Sequence, residues 1–141
     1  MTTGGRDSSA EPDTTGVAMA GQPVHIEIPA GDTAKGREFW SGLFGWQFEQ
    51  YGGPVEYHMT RLGENMGGAV YNNPEGNADG IRVYFDVDDI NDGAARVREL
   101  GGESGEPMPV PGMGWFSACK DTDGNDFGIW QTDPSAPTPG E

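Results

Sequence analysis

With 141 residues and a single cysteine, the chain is sized for one domain with its own core; no internal disulfide framework is possible, and no apolar run is long enough to span a bilayer. Eight basic against 23 acidic residues give a formal charge of −15, which argues against nucleic acid and anionic membrane as partners and permits a cationic ligand. The lone cysteine fits a reducing compartment and the N-terminus lacks the cationic, apolar, small-residue series of a secretory signal, so the expected location is cytoplasmic.

Residues 1–22 are small, polar and Gly-rich, without apolar period, and are expected to form a disordered tail; "PSAPTPGE", 134–141, is expected to be a second, flexible one. The domain then spans 23–133. "PVHIEIP" alternates Val24, Ile26 and Ile28 with His25 and Glu27, the period of a strand with one buried face. Asp32 or Thr33 caps a helix carrying Phe39, Trp40, Leu43 and Phe44, and Gly45 stops it. Phe39, Trp40, Phe44 and Trp46 are expected in the core. "WQFEQY", "PVEYHMTRL" and "MGGAVYN" read as three strands, followed by an apolar-free loop over 72–80. In "EYHMT", Glu56, His58 and Thr60 share a face of ambiguous orientation, with an exposed His58 as the default.

The series then restarts. "GIRVYFDV" is a strand, Asp88 or Asp89 caps a helix with Ile90, Ala94, Val97 and Leu100 at helical spacing, and Gly101–Gly102 ends it. A strand or loop follows near 103–110, then "GWFSACK" and "DFGIWQ". Ile26 to Val83, Leu43 to Leu100 and Gly45 to Gly102 are each 57 positions apart, so the register is that of a duplicated module, 23–73 and 80–133. One helix per module covers one face of its strands. The other face stays open unless the sheet curls into a cup.

The stretches "HIEIPAGDTAKGREFWSGLFGWQF", "VDDINDGAARVRELGG" and "DTDGNDFGIWQ" resemble the vicinal oxygen chelate superfamily, which includes glyoxalase I, extradiol dioxygenases and bleomycin-resistance proteins. The resemblance covers about residues 23–132, with Thr122 where the family's closing Asp-Pro-x-Gly-Asn segment has proline. It implies an α+β fold of two paired βαβββ modules forming a cupped mixed sheet around a ligand, and a homodimer is common there. It also implies where a metal would be held: on the first and last strand of each module. Those positions carry His25, Arg82, Gly128 and either Ala69 or Tyr71. Arginine does not ligate a divalent ion in the ordinary way, and a divalent site needs three protein ligands. No metal or cofactor is therefore expected; the alternative is a divalent metal held through His25.

Alternation sets the lining of the cup instead. His25 and Glu27 lie on the first strand, Arg82, Tyr84 and Asp86 on its duplicate, and Asp126, Gly128 and Trp130 on the last, with Ala69 or Tyr71 nearby. Of the adjacent Trp115 and Phe116, only one can face inward. His25 and Glu27 are the candidate catalytic pair, about 7 Å apart along the strand, so that contact between them needs side-chain reach or a water. Arg82, Tyr84, Asp126, Trp130 and Tyr71 are the candidate ligand-binding residues: two rings to stack, carboxylates for a cation, and a guanidinium for an anion or carbonyl. The structural alternatives are a self-satisfied polar cluster around His25, a Glu27–Arg82 ion pair and plain packing of Tyr84 and Trp130. "GENMGG" and "PGMGW" open no helix as a phosphate loop must, "DTDGND" reads as a tight turn, and Cys119 on a strand without a neighbouring histidine is a poor nucleophile candidate. The expected function is metal-free binding of a small aromatic or cationic molecule, as in resistance or sequestration. The alternative is a lyase, isomerase or dioxygenase-type enzyme using His25, with or without a metal; a ligand-free interaction module is a third reading.

Overall fold

A computed structural model describes residues 20–51, 56–73 and 80–138. The expected N-terminal tail through residue 19 and most of the 72–80 loop lie outside the described residues. The elements run β1 (Pro23–Ala30), α1 (Thr33–Phe44), β2 (Glu49–Gln50), β3 (Tyr57–Gly63), β4 (Met66–Asn72), β5 (Arg82–Asp86), α2 (Ile90–Glu99), β6 (Glu103–Ser104), β7 (Met108–Val110), β8 (Gly114–Lys120) and β9 (Asp126–Thr132). Strand, helix, three strands therefore occurs twice, with β6 and β7 sharing one strand's place in the second module. "WQFEQY" shortens to the two residues of β2.

All nine strands join one curled sheet in the order β2-β3-β4-β1-β5-β9-β8-β6, with β7 also on β8. The modules meet within a single chain: β1 runs antiparallel to β5, pairing His25 with Tyr84, Ile26 with Val83 and Glu27 with Arg82. In each module the first strand lies parallel to the last, β1 on β4 and β5 on β9. That register pairs Glu27 with Ala69 and Tyr84 with Gly128. Glu27 and Tyr84 are 57 residues apart, so Ala69, not Tyr71, is the counterpart of Gly128.

Both helices cover the same face. Asp89 caps α2 by accepting from the Asp92 N–H, and Ile90 and Ala94 pack with Cys119 and Ile129, flanked by Val87, Val97, Trp115 and Phe127. Asp32 caps α1 through the N–H groups of Ala34 and Lys35, and Gly45 ends it in the left-handed conformation at φ 76°. The core expectation for α1 is corrected. Phe39, Leu43 and Phe44 are 60%, 56% and 59% exposed, while Trp40 and Trp46 are half-buried. The helix meets the sheet through Thr33 and through Gly36, which sits against Val70 and Ala30, so its outer stripe overhangs. Trp40 stacks on Trp46 at 5.2 Å and on Phe44 at 6.0 Å; the rings cover one another more than the sheet covers them.

His58 is also corrected: it is buried, on the helix face, where its ring meets Glu56 Oε2 at 2.9 Å. The same oxygen accepts from the Thr33 hydroxyl, which ties the start of α1 to β3. At the other end the chain stays on the domain past residue 133: Ala136 is buried and its carbonyl accepts from Gly112 N–H, so the expected tail begins later than residue 134.

Candidate functional site

The face opposite the helices carries the expected lining, and three strands bring its centre together. Glu27 on β1 accepts two tyrosine hydroxyls, Tyr84 from β5 on Oε1 and Tyr57 from β3 on Oε2, each at 2.9 Å. Tyr57 Oη lies 2.7 Å from His25 Nε2, the two rings stacked with an interplanar angle of 14°. Tyr84 meets His25 edge-on, centroids 5.8 Å apart. His25 and Glu27 thus communicate, as the 7 Å spacing requires, through an intermediary: the phenol of Tyr57. Among the described residues Glu27 and Arg82 make no direct ion pair; the carboxylate bonds the two tyrosine hydroxyls instead.

Small residues make this convergence possible. β1 and β3 are not neighbours; β4 lies between them, and neighbouring strands stand about 4.8 Å apart. Opposite His25 and Glu27, β4 carries Gly67 and Ala69, so the His25 and Tyr57 side chains close over it. The second module repeats the device. Gly128 on β9 is small, and the ring of Tyr84, only 4% exposed, lies over it to meet Phe116 on β8 at 6.3 Å. A β-carbon on Gly128 would stand 2.9 Å from Tyr84 Cγ and closer still to Cδ2 and Cε2. Gly128 therefore leaves no vacant room; Tyr84 fills it. Phe116 is the inward member of its pair, since Trp115 belongs to the helix-side cluster and donates to Asp133.

The remaining candidates lie on the same face, farther out. Tyr71 packs on Tyr57 at 6.4 Å. Asp126 pairs with Lys120 at 2.7 Å. Trp130, across from Phe116 and Asp86, donates Nε1–H to Thr132 Oγ1. Arg82 stands between Glu27 and Asp126. Burial works against its charge, but Tyr84, Glu27 and Asp126 outweigh that and hold its pKa above the usual value. Its Nε is buried without a hydrogen-bond partner. Tyr57 is the residue that sequence reasoning missed. The β3–β4 hairpin places it beside Tyr71, already a candidate, so hairpin register was the signal that could have found it.

Protonation states follow from burial. Burial lowers the His25 pKa, and Glu27 opposes this only partly, so the ring is neutral near pH 7. Burial first, and Glu27 second, push both Tyr57 and Tyr84 far above the ordinary phenol range; their protons stay on. A histidine with a lowered folded-state pKa stabilises the fold above its unfolded value of 6.5 and loses that contribution as pH falls through it. Below 6.5 the unfolded chain binds a proton that the folded chain refuses, with a slope of at most about 1.4 kcal/mol per pH unit. Denaturant unfolding measured from about pH 7.5 to about 5.5 should therefore show the wild type losing stability relative to His25→Gln. Parallel curves would contradict the buried neutral ring.

The set of side chains does not fit a divalent ion at the positions the resemblance implies. Of His25, Arg82, Ala69 and Gly128, one is a donor, one a cation and two have no donor atom. Among the described residues no three His, Cys, Asp or Glu side chains stand together as a metal cluster.

Comparison with known proteins agrees with this architecture. The model of the Glyoxalase/Bleomycin resistance protein/Dioxygenase superfamily matches residues 22–129, and the chain belongs to that superfamily. CFP32 of Mycobacterium bovis, provisionally named a glyoxylase, is 27% identical over 119 residues, covering 79% of this chain and 46% of its own length. The anthracycline biosynthesis protein DnrV of Streptomyces peucetius is 28% identical over 129 residues, covering 79% of this chain and 47% of its own. The chain thus spans about half the length of the curated relatives it matches. Among solved structures, methylmalonyl-CoA epimerase from Mycobacterium tuberculosis superposes with a TM-score of 0.66 at 11% identity, over 83% of this chain and 91% of that one, a likeness of fold. No helix among the described residues is long and apolar enough to cross a membrane.

Proposed function

We propose that the protein binds a small organic molecule on the inner face of the sheet without a metal, the reading given by sequestering members of its superfamily. The observation that carries this is the placement of Tyr84: its ring occupies the space over Gly128 where a ligating side chain would stand, and its hydroxyl takes up Glu27. The lining suits a flat molecule with a few polar groups. Phe116 and Trp130 offer apolar area, and the Arg82 guanidinium supplies a positive charge for an anion or a carbonyl. The relative named for anthracycline biosynthesis supports an aromatic ligand. The excess of acid keeps a cationic substituent within the same reading. Addition of zinc, nickel or iron(II) is expected to leave the Tm unchanged, and a rise of several degrees would overturn the metal-free reading.

A second reading is favoured by one observation, the neutral buried His25 on the same face as Arg82, diagonal to it across β1 and β5. In an enzyme His25 would serve as general base and Arg82 would stabilise an enolate or oxyanion. His25→Ala separates the two: catalysis predicts turnover lost with binding retained, whereas a binding protein shows no turnover to lose. A cytoplasmic setting, in keeping with the single buried Cys119, and a homodimer belong to the same proposal. The exposed Phe39, Leu43 and Phe44 of α1 are the surface a second copy would cover, and sedimentation at micromolar concentration reads it.

A further inference from the structure

We infer that Glu27 and Tyr57 hold His25 as its Nε2–H tautomer, so that Nδ1 is the site's hydrogen-bond acceptor and the ligand it takes carries a hydroxyl on its flat body. The inference rests on the binding reading for the ligand, and on geometry alone for the tautomer. Tyr57 has one proton and two neighbours, Glu27 Oε2 at 2.9 Å and His25 Nε2 at 2.7 Å. A carboxylate oxygen can only accept, and a charge-assisted bond is the stronger of the two, so the phenol donates to Glu27. The Tyr57 oxygen then accepts, and the hydrogen between it and the imidazole belongs to Nε2. A neutral imidazole carries one N–H, so Nδ1 keeps its lone pair. Tyr84 strengthens the arrangement by filling the other carboxylate oxygen, which keeps Glu27 from rotating away.

Gly67 keeps the Nδ1 edge open. A β-carbon there would stand 3.3 Å from Nδ1 and 3.9 Å from Cε1, pressing on the edge that the relay turns away from Tyr57. With Arg82 diagonal to His25 across the β1–β5 pairing, the acceptor that this face offers is Nδ1, a match for a ring system bearing a hydroxyl. Tyr57 is here a positioning residue. It acts through His25 by choosing which nitrogen carries the proton.

The test uses the full chain labelled with ¹⁵N at histidine, read by long-range imidazole correlation near neutral pH. The chain has two histidines, so His58 is an internal reference. The expected result is an Nε2–H pattern for His25 in the wild type and a mixture of tautomers in Tyr57→Phe, with His58 unchanged. An Nδ1–H pattern in the wild type, or a Tyr57→Phe pattern identical to it, overturns the relay whatever binds. The ligand half is read with 2-naphthol and naphthalene as probes. 2-Naphthol is expected to shift His25 Nδ1 and to bind at least tenfold more tightly than naphthalene, and Gly67→Ala to abolish that difference. Equal binding of both probes to the wild type overturns the hydroxyl requirement. Failure of both to bind overturns the aromatic-ligand reading and leaves the tautomer result standing by itself.

Discussion

Gly128→Ala is expected to destabilise the protein by about 2–3 kcal/mol, the upper part of the roughly 1–3 kcal/mol typical of forcing extra volume into a packed interior. The added carbon must displace the ring of Tyr84, which is 4% exposed and held at its far end by the bond to Glu27. That ring cannot swing aside cheaply. On one side it meets Phe116, on the other it lies edge-on to His25. The damage should therefore spread to the site, lowering affinity for any aromatic probe as well as the urea midpoint. Combining Gly128→Ala with Tyr84→Ala removes the atoms that the new β-carbon would strike, so the double variant should be less destabilised than the sum of the singles. Additive effects, or a Gly128→Ala protein as stable as the wild type, would show that Tyr84 does not fill the place of a ligating side chain.

The same geometry explains which parts of the site were legible in the sequence. Strict alternation on β1 and the 57-residue offset were enough to put His25, Glu27, Arg82 and Tyr84 on one face; that Tyr84 lies across from His25 and Arg82 across from Glu27 comes from the strand register. The bond between Tyr84 and Glu27 joins two residues 57 apart, related by the duplication itself. β3 offers no such contrast. Glu56, His58 and Thr60 on one side and Tyr57, Met59 and Arg61 on the other are both mixed in polarity, so alternation could not say which faced inward. What decides it is register across the sheet: the β3–β4 hairpin sets Tyr57 beside Tyr71, and Gly67 and Ala69 on the intervening β4 put only small side chains between Tyr57 and His25.

The exposed rings of α1 were misjudged for a related reason. A helical stripe of Phe39, Trp40, Leu43 and Phe44 reports that a surface is apolar, not how much sheet lies beneath it. The short β2 ends the sheet on that side; in α1 a β-carbon on Gly36 would touch Val70 and Ala30, whereas one on Gly42, further along the helix, would meet nothing within 4 Å. His58 inverts the error. A histidine on a strand with polar neighbours looked solvated, yet Glu56 and Thr33 give it a partner set that lets it sit inside.

Glu27→Leu is expected to cost about 3 kcal/mol, and to remove ligand binding with it. The Tyr84 hydroxyl would be left buried without its acceptor, at about 1–3 kcal/mol, and the Tyr57 hydroxyl would have to turn its proton toward His25 Nε2, forcing the imidazole into the other tautomer. Glu27→Gln should be milder, because its carbonyl oxygen still accepts from one hydroxyl while the amide nitrogen is a poor substitute for the other acceptor. The decisive comparison is the triple variant Glu27→Leu, Tyr57→Phe, Tyr84→Phe. Removing both sides of a buried hydrogen bond is far gentler than removing one, so this protein should recover most of the stability that Glu27→Leu loses. Its His25 would then lack the neighbour that orients it, and should fail to bind 2-naphthol in preference to naphthalene. Stability would thus return without recognition, separating the part of the cluster that supports the fold from the part that reads a ligand. If Glu27→Leu unfolds within about 0.5 kcal/mol of the wild type, the carboxylate is not the hub of the three strands and the relay to His25 has no anchor.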